Sequence, residues 1–118
     1  MPNRSQHSIL EYDIHSGGAR VDEALAMLER IVSQARHCGP KLFAVITGYG
    51  SSGGTCRIFS SVIAKCRKYK SQHHIRGFLR GELAGDFFSK EYIDFPDAAL
   101  IPVRYKQCPN PGIVFICV

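Results

Sequence analysis

Apolar positions along this chain change their spacing from segment to segment, and those changes delimit its elements. Residues 1–8 (MPNRSQHS) are polar and are read as a disordered N-terminal segment. From Ile9 to His15 the chain alternates, with Leu10, Tyr12 and Ile14 on one side and Glu11, Asp13 and His15 on the other, as in a half-buried strand. After a turn at 16–18, the apolar residues Val21, Ala24, Leu25, Leu28, Ile31, Val32 and Ala35 keep the spacing of a helix over Arg20–His37. Asp22 and Glu23 fall in its first turn, where the helix dipole favours negative charge. Gly39-Pro40 ends it, the glycine read as a left-handed cap and the proline as a residue that cannot continue the helix. Lys41–Thr47 (KLFAVIT) is nearly continuous in its apolar character, which predicts a central strand parallel to the first. Thr55, Ile58, Phe59, Val62, Ile63 and Cys66 then form the stripe of a second helix ending near Tyr69. Ile75–Arg80 reads as a third strand, Asp86–Asp94 as a short helix capped by Asp86 and closed by Pro96, and Ile113–Val118 (IVFICV) as a last buried strand.

This order, β-α-β-α-β-(α)-β, predicts an α/β fold: a two-layer α/β sandwich with one four-stranded mixed sheet carrying both main helices. A length of 118 residues fits a single domain, and 45% hydrophobic residues supply a core. No apolar run approaches a membrane span and the polar start has no signal-peptide core, so a cytoplasmic protein, whole or cut from a larger one, is expected. Five cysteines form an odd set with no C-x-x-C pair, which argues against a disulfide framework or a zinc site and for reduced thiols; nothing marks one of them as an activated nucleophile.

Charge alters the picture more. Between Glu29 and Glu82 the chain has no acidic residue but ten Lys or Arg, seven of them in the second helix or just after it. A solvated helix face normally mixes both signs, so a stretch of one sign favours a polyanionic partner such as a phosphate backbone.

The candidate chemistry sits at the strand ends. The stretch VITGYGSSGG, residues 45–54, runs from strand to helix and contains G-x-G-x-x-G at Gly48, Gly50 and Gly53. A dinucleotide site would need an acidic residue about twenty positions on, where this chain has Arg67-Lys68-Tyr69-Lys70, and the G-K-[ST] of a P-loop is missing. Backbone amides of such a loop, with the following helix N-terminus, can still hold a phosphate. Arg57 lies one turn into that helix, and Tyr49 could stack on a base. The alternative is a glycine turn needed only for backbone geometry. In a parallel sheet the first strand's Asp13-x-His15 would reach the same edge as Thr47-Gly48, Asp13 and His15 pointing to one side. A carboxylate beside an imidazole orients it and raises its pKa, as a general acid or base requires. The alternative here is a strand-end histidine bonded to loop backbone.

Together these residues resemble the Smr (small MutS-related) domain. Tyr12-Asp13-Ile14-His15-Ser16 matches its L-D-L-H-G-type motif, Val21–Leu25 its V-D-E-A-L helix, Thr47-Gly48-Tyr49-Gly50 its T-G-x-G, and Gly112–Val118 its glycine-led last strand. The likeness runs from residue 9 to about 80 and resumes at the end. Ser16 stands where the family has glycine, Arg20 where a Thr or Ser cap is usual, and the 81–111 connection is enlarged within an otherwise single 9–118 domain. The resemblance implies nucleic-acid binding and, in several members, endonuclease activity: nicking of DNA or cleavage of RNA, including messenger RNA on stalled ribosomes. The fold is also similar to the C-terminal domain of translation initiation factor three, which binds ribosomal RNA without cutting, so activity does not follow from fold. The expected assignment is therefore His15 as general base or acid, Asp13 orienting it, and Thr47, Gly48, Tyr49, Gly50 and Ser52 at the phosphate. Arg57, Lys65 and Lys68 would hold the backbone of RNA or DNA, with the ribosome a further candidate partner. No cofactor is expected and no metal set is evident, the His73-His74 pair being too small a cluster. A non-catalytic RNA- or ribosome-binding module is the alternative, and a small-molecule phosphate binder a third.

Overall fold

Two of the strands consist almost wholly of apolar residues, and a strand of that kind is stable only with both of its faces covered. These are β2 (Leu42–Ile46) and β4 (Ile113–Cys117), and the sheet is built around their pairing. A computed structural model of the 118-residue chain describes residues 9–15, 20–48 and 55–118. The segment 1–8, read from sequence as disordered, lies outside the described residues. β1 (Leu10–Asp13) adds to β2 in parallel, and β3 (Gly77–Arg80) adds to the other side of β4 antiparallel, giving the order β1-β2-β4-β3 in one mixed sheet. The predicted α/β architecture, two main helices on a four-stranded mixed sheet, is the one observed.

Helix α1 (Val21–His37) and helix α2 (Thr55–Ser71) cover one face. Leu28 and Val32 of α1 and Ile58, Val62 and Cys66 of α2 pack with Phe43, Val45, Val114 and Ile116 of the sheet. Arg20 stands at the N-cap of α1, and it is Glu23 that satisfies the cap, accepting a bond from the Arg20 backbone N–H at 2.8 Å. At the other end Gly39 is required for space rather than for handedness: its φ is not positive, and a Cβ there would meet the Ala35 Cα at 2.6 Å. The first strand is shorter than its alternation predicts, and Leu10, placed on the inner side by that alternation, remains 54% exposed.

The opposite face of the sheet is covered by the 81–111 connection, to which the sequence assigned no role beyond a short helix. That connection contains a 3₁₀ turn (Gly81–Leu83), helix α3 (Lys90–Asp94), a second 3₁₀ turn (Ala98–Leu100) and helix α4 (Val103–Gln107). Ala84, Phe95, Ile101 and Tyr105 from it pack against Ala44, Phe115 and Cys117. The Tyr105 and Phe115 rings meet edge to face at 5.0 Å. Helix α3 is half the predicted length because its cap is Ser89, whose hydroxyl accepts from the Tyr92 amide at 3.1 Å. Asp86, the predicted cap, instead closes a turn by accepting from the Phe88 amide at 3.3 Å. Polar ties pin the cover at two edges. Arg76 bonds both the Val118 carbonyl (2.9 Å) and Asp97 (2.8 Å), and the Tyr105 hydroxyl and Arg104 both reach Glu11 of β1.

Among the described residues no helix is long and apolar enough to cross a membrane. The cover is core as much as α1 and α2 are, which urea denaturation can check. Phe95→Ala, emptying a buried site, should cost about 3–5 kcal/mol, whereas Phe88→Ser, at a side chain 93% exposed, should change stability by less than about 0.5 kcal/mol.

Candidate functional site

Parallel pairing of β1 and β2 fixes what meets at the sheet's edge. Asp13 stands in register with Ile46, and the next amide, that of Ile14, donates to the Ile46 carbonyl at 3.1 Å. Both chains therefore leave the sheet together, one into His15 and the other into Thr47-Gly48.

The Asp13–His15 contact forms as expected but by a different route. β1 has ended at Asp13, so strand alternation does not align the pair. The Asp13 carboxylate instead accepts the His15 backbone N–H at 3.0 Å, a turn that aspartate forms readily with the amide two residues on. The same oxygen, Oδ1, lies 2.8 Å from the ring Nδ1. A carboxylate oxygen accepts in such a contact, so Nδ1 is the donor, and the neutral form of the ring then has its acceptor at Nε2. The two side chains are 33% and 44% exposed, accessible to a ligand without being fully hydrated.

Gly48 completes the arrangement. Its φ is +72°, and a Cβ built on it would stand 2.3 Å from Cδ2 and 2.4 Å from Nε2 of His15. The imidazole edge therefore lies directly on the Gly48 backbone, where no other residue fits. Thr47 plays a different part from the one its sequence position suggested. It is fully buried, and both its backbone N–H (2.7 Å) and its hydroxyl (3.0 Å) donate to the Gly112 carbonyl. Its hydroxyl is thus committed to holding the root of the loop and does not reach a phosphate. Gly112, missed as a contributor, is itself set by the Asn110 side chain, which accepts its N–H at 2.7 Å. Its sequence signals are the Pro109-Asn110-Pro111-Gly112 stretch and its place at the head of the Gly112–Val118 motif, neither of which points to Thr47. Tyr49, Gly50 and Ser52 lie outside the described residues.

The basic residues divide into two groups. Arg57 is exposed near the N-terminal end of α2, beside a cavity of about 350 Å³ that also involves Val21, Ser60 and Ser61. Helix α1 runs from Val21 back toward the start of β2, and Val21 lines the same cavity, so Arg57 lies at the end of the sheet where β1 and β2 stop, on the His15 side. Lys65 and Lys68 are carried roughly 12 and 16 Å further along the axis, toward the opposite edge of the sheet. They do not join the Asp13–His15 site.

Among the described residues no three His, Cys, Asp or Glu side chains group as metal ligands. Cys38 and Cys108 are exposed and Cys66 and Cys117 buried, all with free thiols. Burial pushes the Cys66 thiol up to about 12. It also pushes Cys117 up to about 11, against an opposing pull from Arg76. Neither is a nucleophile at neutral pH.

A scan against protein-family models and searches of curated proteins and of solved structures find no match to this chain.

Two outcomes follow from this geometry. Gly48→Ala should cost about 1–3 kcal/mol in thermal denaturation and should displace the His15 ring, read as a change in its imidazole NMR signals. The buried thiols contribute stability that is complete below the unfolded thiol value of 9.0 and is lost as pH rises toward the folded values of about 11 and about 12. Iodoacetamide at pH 8 should accordingly label Cys38 and Cys108 in the native chain, with Cys66 and Cys117 reacting only after unfolding.

Proposed function

We propose that the chain is an Smr-like nucleic-acid-binding domain that cleaves RNA, with His15 moving the proton and Asp13 orienting it. The observation that carries this reading is the seating of His15: Nδ1 is held by Asp13 at 2.8 Å while the Nε2 edge rests on Gly48. The proposed phosphate cradle is formed by the amides of the glycine-rich stretch that follows Gly48 in the sequence, with those at the N-terminus of α2. Tyr49, Gly50 and Ser52 belong to this proposal, with Tyr49 stacking on a base. Nε2 takes the proton of a ribose 2′-hydroxyl as its oxygen bonds to phosphorus. The bond from phosphorus to the 5′-oxygen breaks, and that oxygen takes a proton from solvent. A 2′,3′-cyclic phosphate and a free 5′-hydroxyl result. Arg57, on the same side, supplies a charge-assisted contact to the backbone. DNA nicking, which has no 2′-hydroxyl to use, would need an attacking water at the same place. Free thiols, two of them exposed, suit a cytoplasmic setting.

The separation of Lys65 and Lys68 from His15 favours a second reading, an RNA- or ribosome-binding module that does not cut. The two readings part in one experiment on structured RNA and supercoiled plasmid. Under the first, His15→Ala should lower cleavage by about 10²–10⁴-fold, Asp13→Asn should fall between it and wild type, and binding should persist. Equal cutting by wild type and His15→Ala would sink the catalytic assignment. The second reading predicts no cutting by any variant, with binding that weakens with salt and in Lys65→Glu/Lys68→Glu.

A further inference from the structure

Lys65 and Lys68 do not stand on an open helix face. They line a cavity of about 270 Å³ between the C-terminal halves of α1 and α2, together with Glu29 and Arg36 of α1 and His74 from the turn after α2. Tyr69 forms part of the same wall. Tyr69 is 6% exposed, and its hydroxyl is buried with no hydrogen-bond partner among the described residues. A buried hydroxyl without a partner is unfavourable unless a ligand or water accepts its proton.

The surroundings specify what that acceptor is. Burial first, then the charge of Glu29, raises the Tyr69 pKa, so the phenol stays a donor. The Lys65 ammonium sits 5.7 Å from the Tyr69 ring centre, and the His74 ring lies tilted beside it at 6.0 Å. The His74 amide donates to the Tyr69 carbonyl at 2.8 Å, which fixes this end of the wall. Arg36, Lys65 and Lys68 form no ion pair among the described residues. Three permanent positive charges thus face one carboxylate. The C-terminal ends of α1 and α2 contribute about half a negative charge each, which leaves the cavity positive by about one charge.

Arg36, Lys65, Lys68 and the Tyr69 hydroxyl donate, Ser33 and Gln72 can donate or accept, and Glu29 is the one carboxylate set against the three cations, so the ligand is anionic and rich in acceptors. A carboxylate offers two oxygens to these four donors, whereas a terminal phosphate offers three and a larger charge. The volume falls just below the roughly 300–1,000 Å³ of sites that enclose a whole small-molecule ligand, and it suits one phosphate with the first atoms attached to it.

We propose that the cavity between the C-terminal halves of α1 and α2 is a terminal-phosphate site, in which Arg36, Lys65, Lys68 and the Tyr69 hydroxyl hold the phosphate of a monoester. It rests on no step at His15, which lies at the opposite edge of the sheet. It also gives Lys65 and Lys68 a ligand whether or not the chain cuts nucleic acid.

The test is amide NMR on the full chain, with inorganic phosphate and then adenosine monophosphate as probes. Both should give saturable shifts centred on Arg36, Lys65, Lys68 and Tyr69. Tyr69→Phe should weaken phosphate binding by about tenfold while keeping or raising the melting temperature in phosphate-free buffer. Arg36→Ala/Lys68→Ala, at two exposed side chains, should abolish binding, and His15→Ala should bind as wild type does. Two hexanucleotides differing only in a 5′-phosphate identify the source. A preference for the phosphorylated one assigns the site to nucleic-acid ends, and equal binding of the two assigns it to a small phosphate ester. Shifts that do not saturate, that chloride at equal ionic strength reproduces, or that persist unchanged in Tyr69→Phe and Arg36→Ala/Lys68→Ala would overturn the proposal.

Discussion

The pairing of β2 with β4 is the constraint on which the rest of the molecule depends. Both strands are apolar on both sides, so each face of the sheet they form has to be removed from water. One face takes the two long helices, as in any α/β layer. The other takes the 81–111 connection, whose buried residues (Ala84, Phe95, Ile101 and Tyr105) complete a second core. Placing β4 antiparallel between two strands that run alike also fixes the outer positions of β1 and β3. The edge that holds Asp13 and His15 inherits this order, because β1 pairs with β2 on the side that β4 leaves free.

Much of this organisation is legible in the chain. Helical spacing gives α1 and α2 nearly to the residue, and the runs at Lys41–Thr47 and Ile113–Val118 give the two central strands. The covering connection is less legible for a physical reason. It is made of single turns and five-residue helices, too short for a helical period to register, and its buried residues are spaced by packing on the sheet. Yet the run IVFIC carries an indirect signal, since a strand with no polar side implies a second covering layer. The misplaced cap of α3 has a similar origin. Asp86 and Ser89 are both good capping residues, and only the fold decides which one begins the helix.

For the candidate site, residue types were readable and roles less so. Asp13 and His15 meet as their spacing suggested, through a turn that begins where the strand stops. Gly48 was legible as a glycine in a loop, but the reason for it, an imidazole lying where its Cβ would be, depends on a strand thirty residues earlier in the chain. Thr47 shows how a motif residue can be structural: its hydroxyl ties the loop to Gly112, 65 positions away. The basic run of α2 carried a charge signal but no geometry, and the helix divides it between two ends of the molecule. Tyr69 was readable only as a residue ending an apolar stripe; its unpartnered hydroxyl is a property of the packed state alone.

The bond from Thr47 to Gly112 sets an order of assembly during synthesis. Strands β1 and β2 and both long helices are made before β4, yet the root of the 47–48 turn has its acceptor only when residue 112 has arrived. Until then β2 has an unpaired edge, and the apolar residues of the cover have no finished sheet beneath them. Pairings of such wide sequence separation are slow to form. A chain still emerging from the ribosome therefore carries Asp13 and His15 without the fixed glycine on which the His15 ring rests. The edge that is proposed to meet RNA is completed only once β4 has been made, after both long helices and the other three strands.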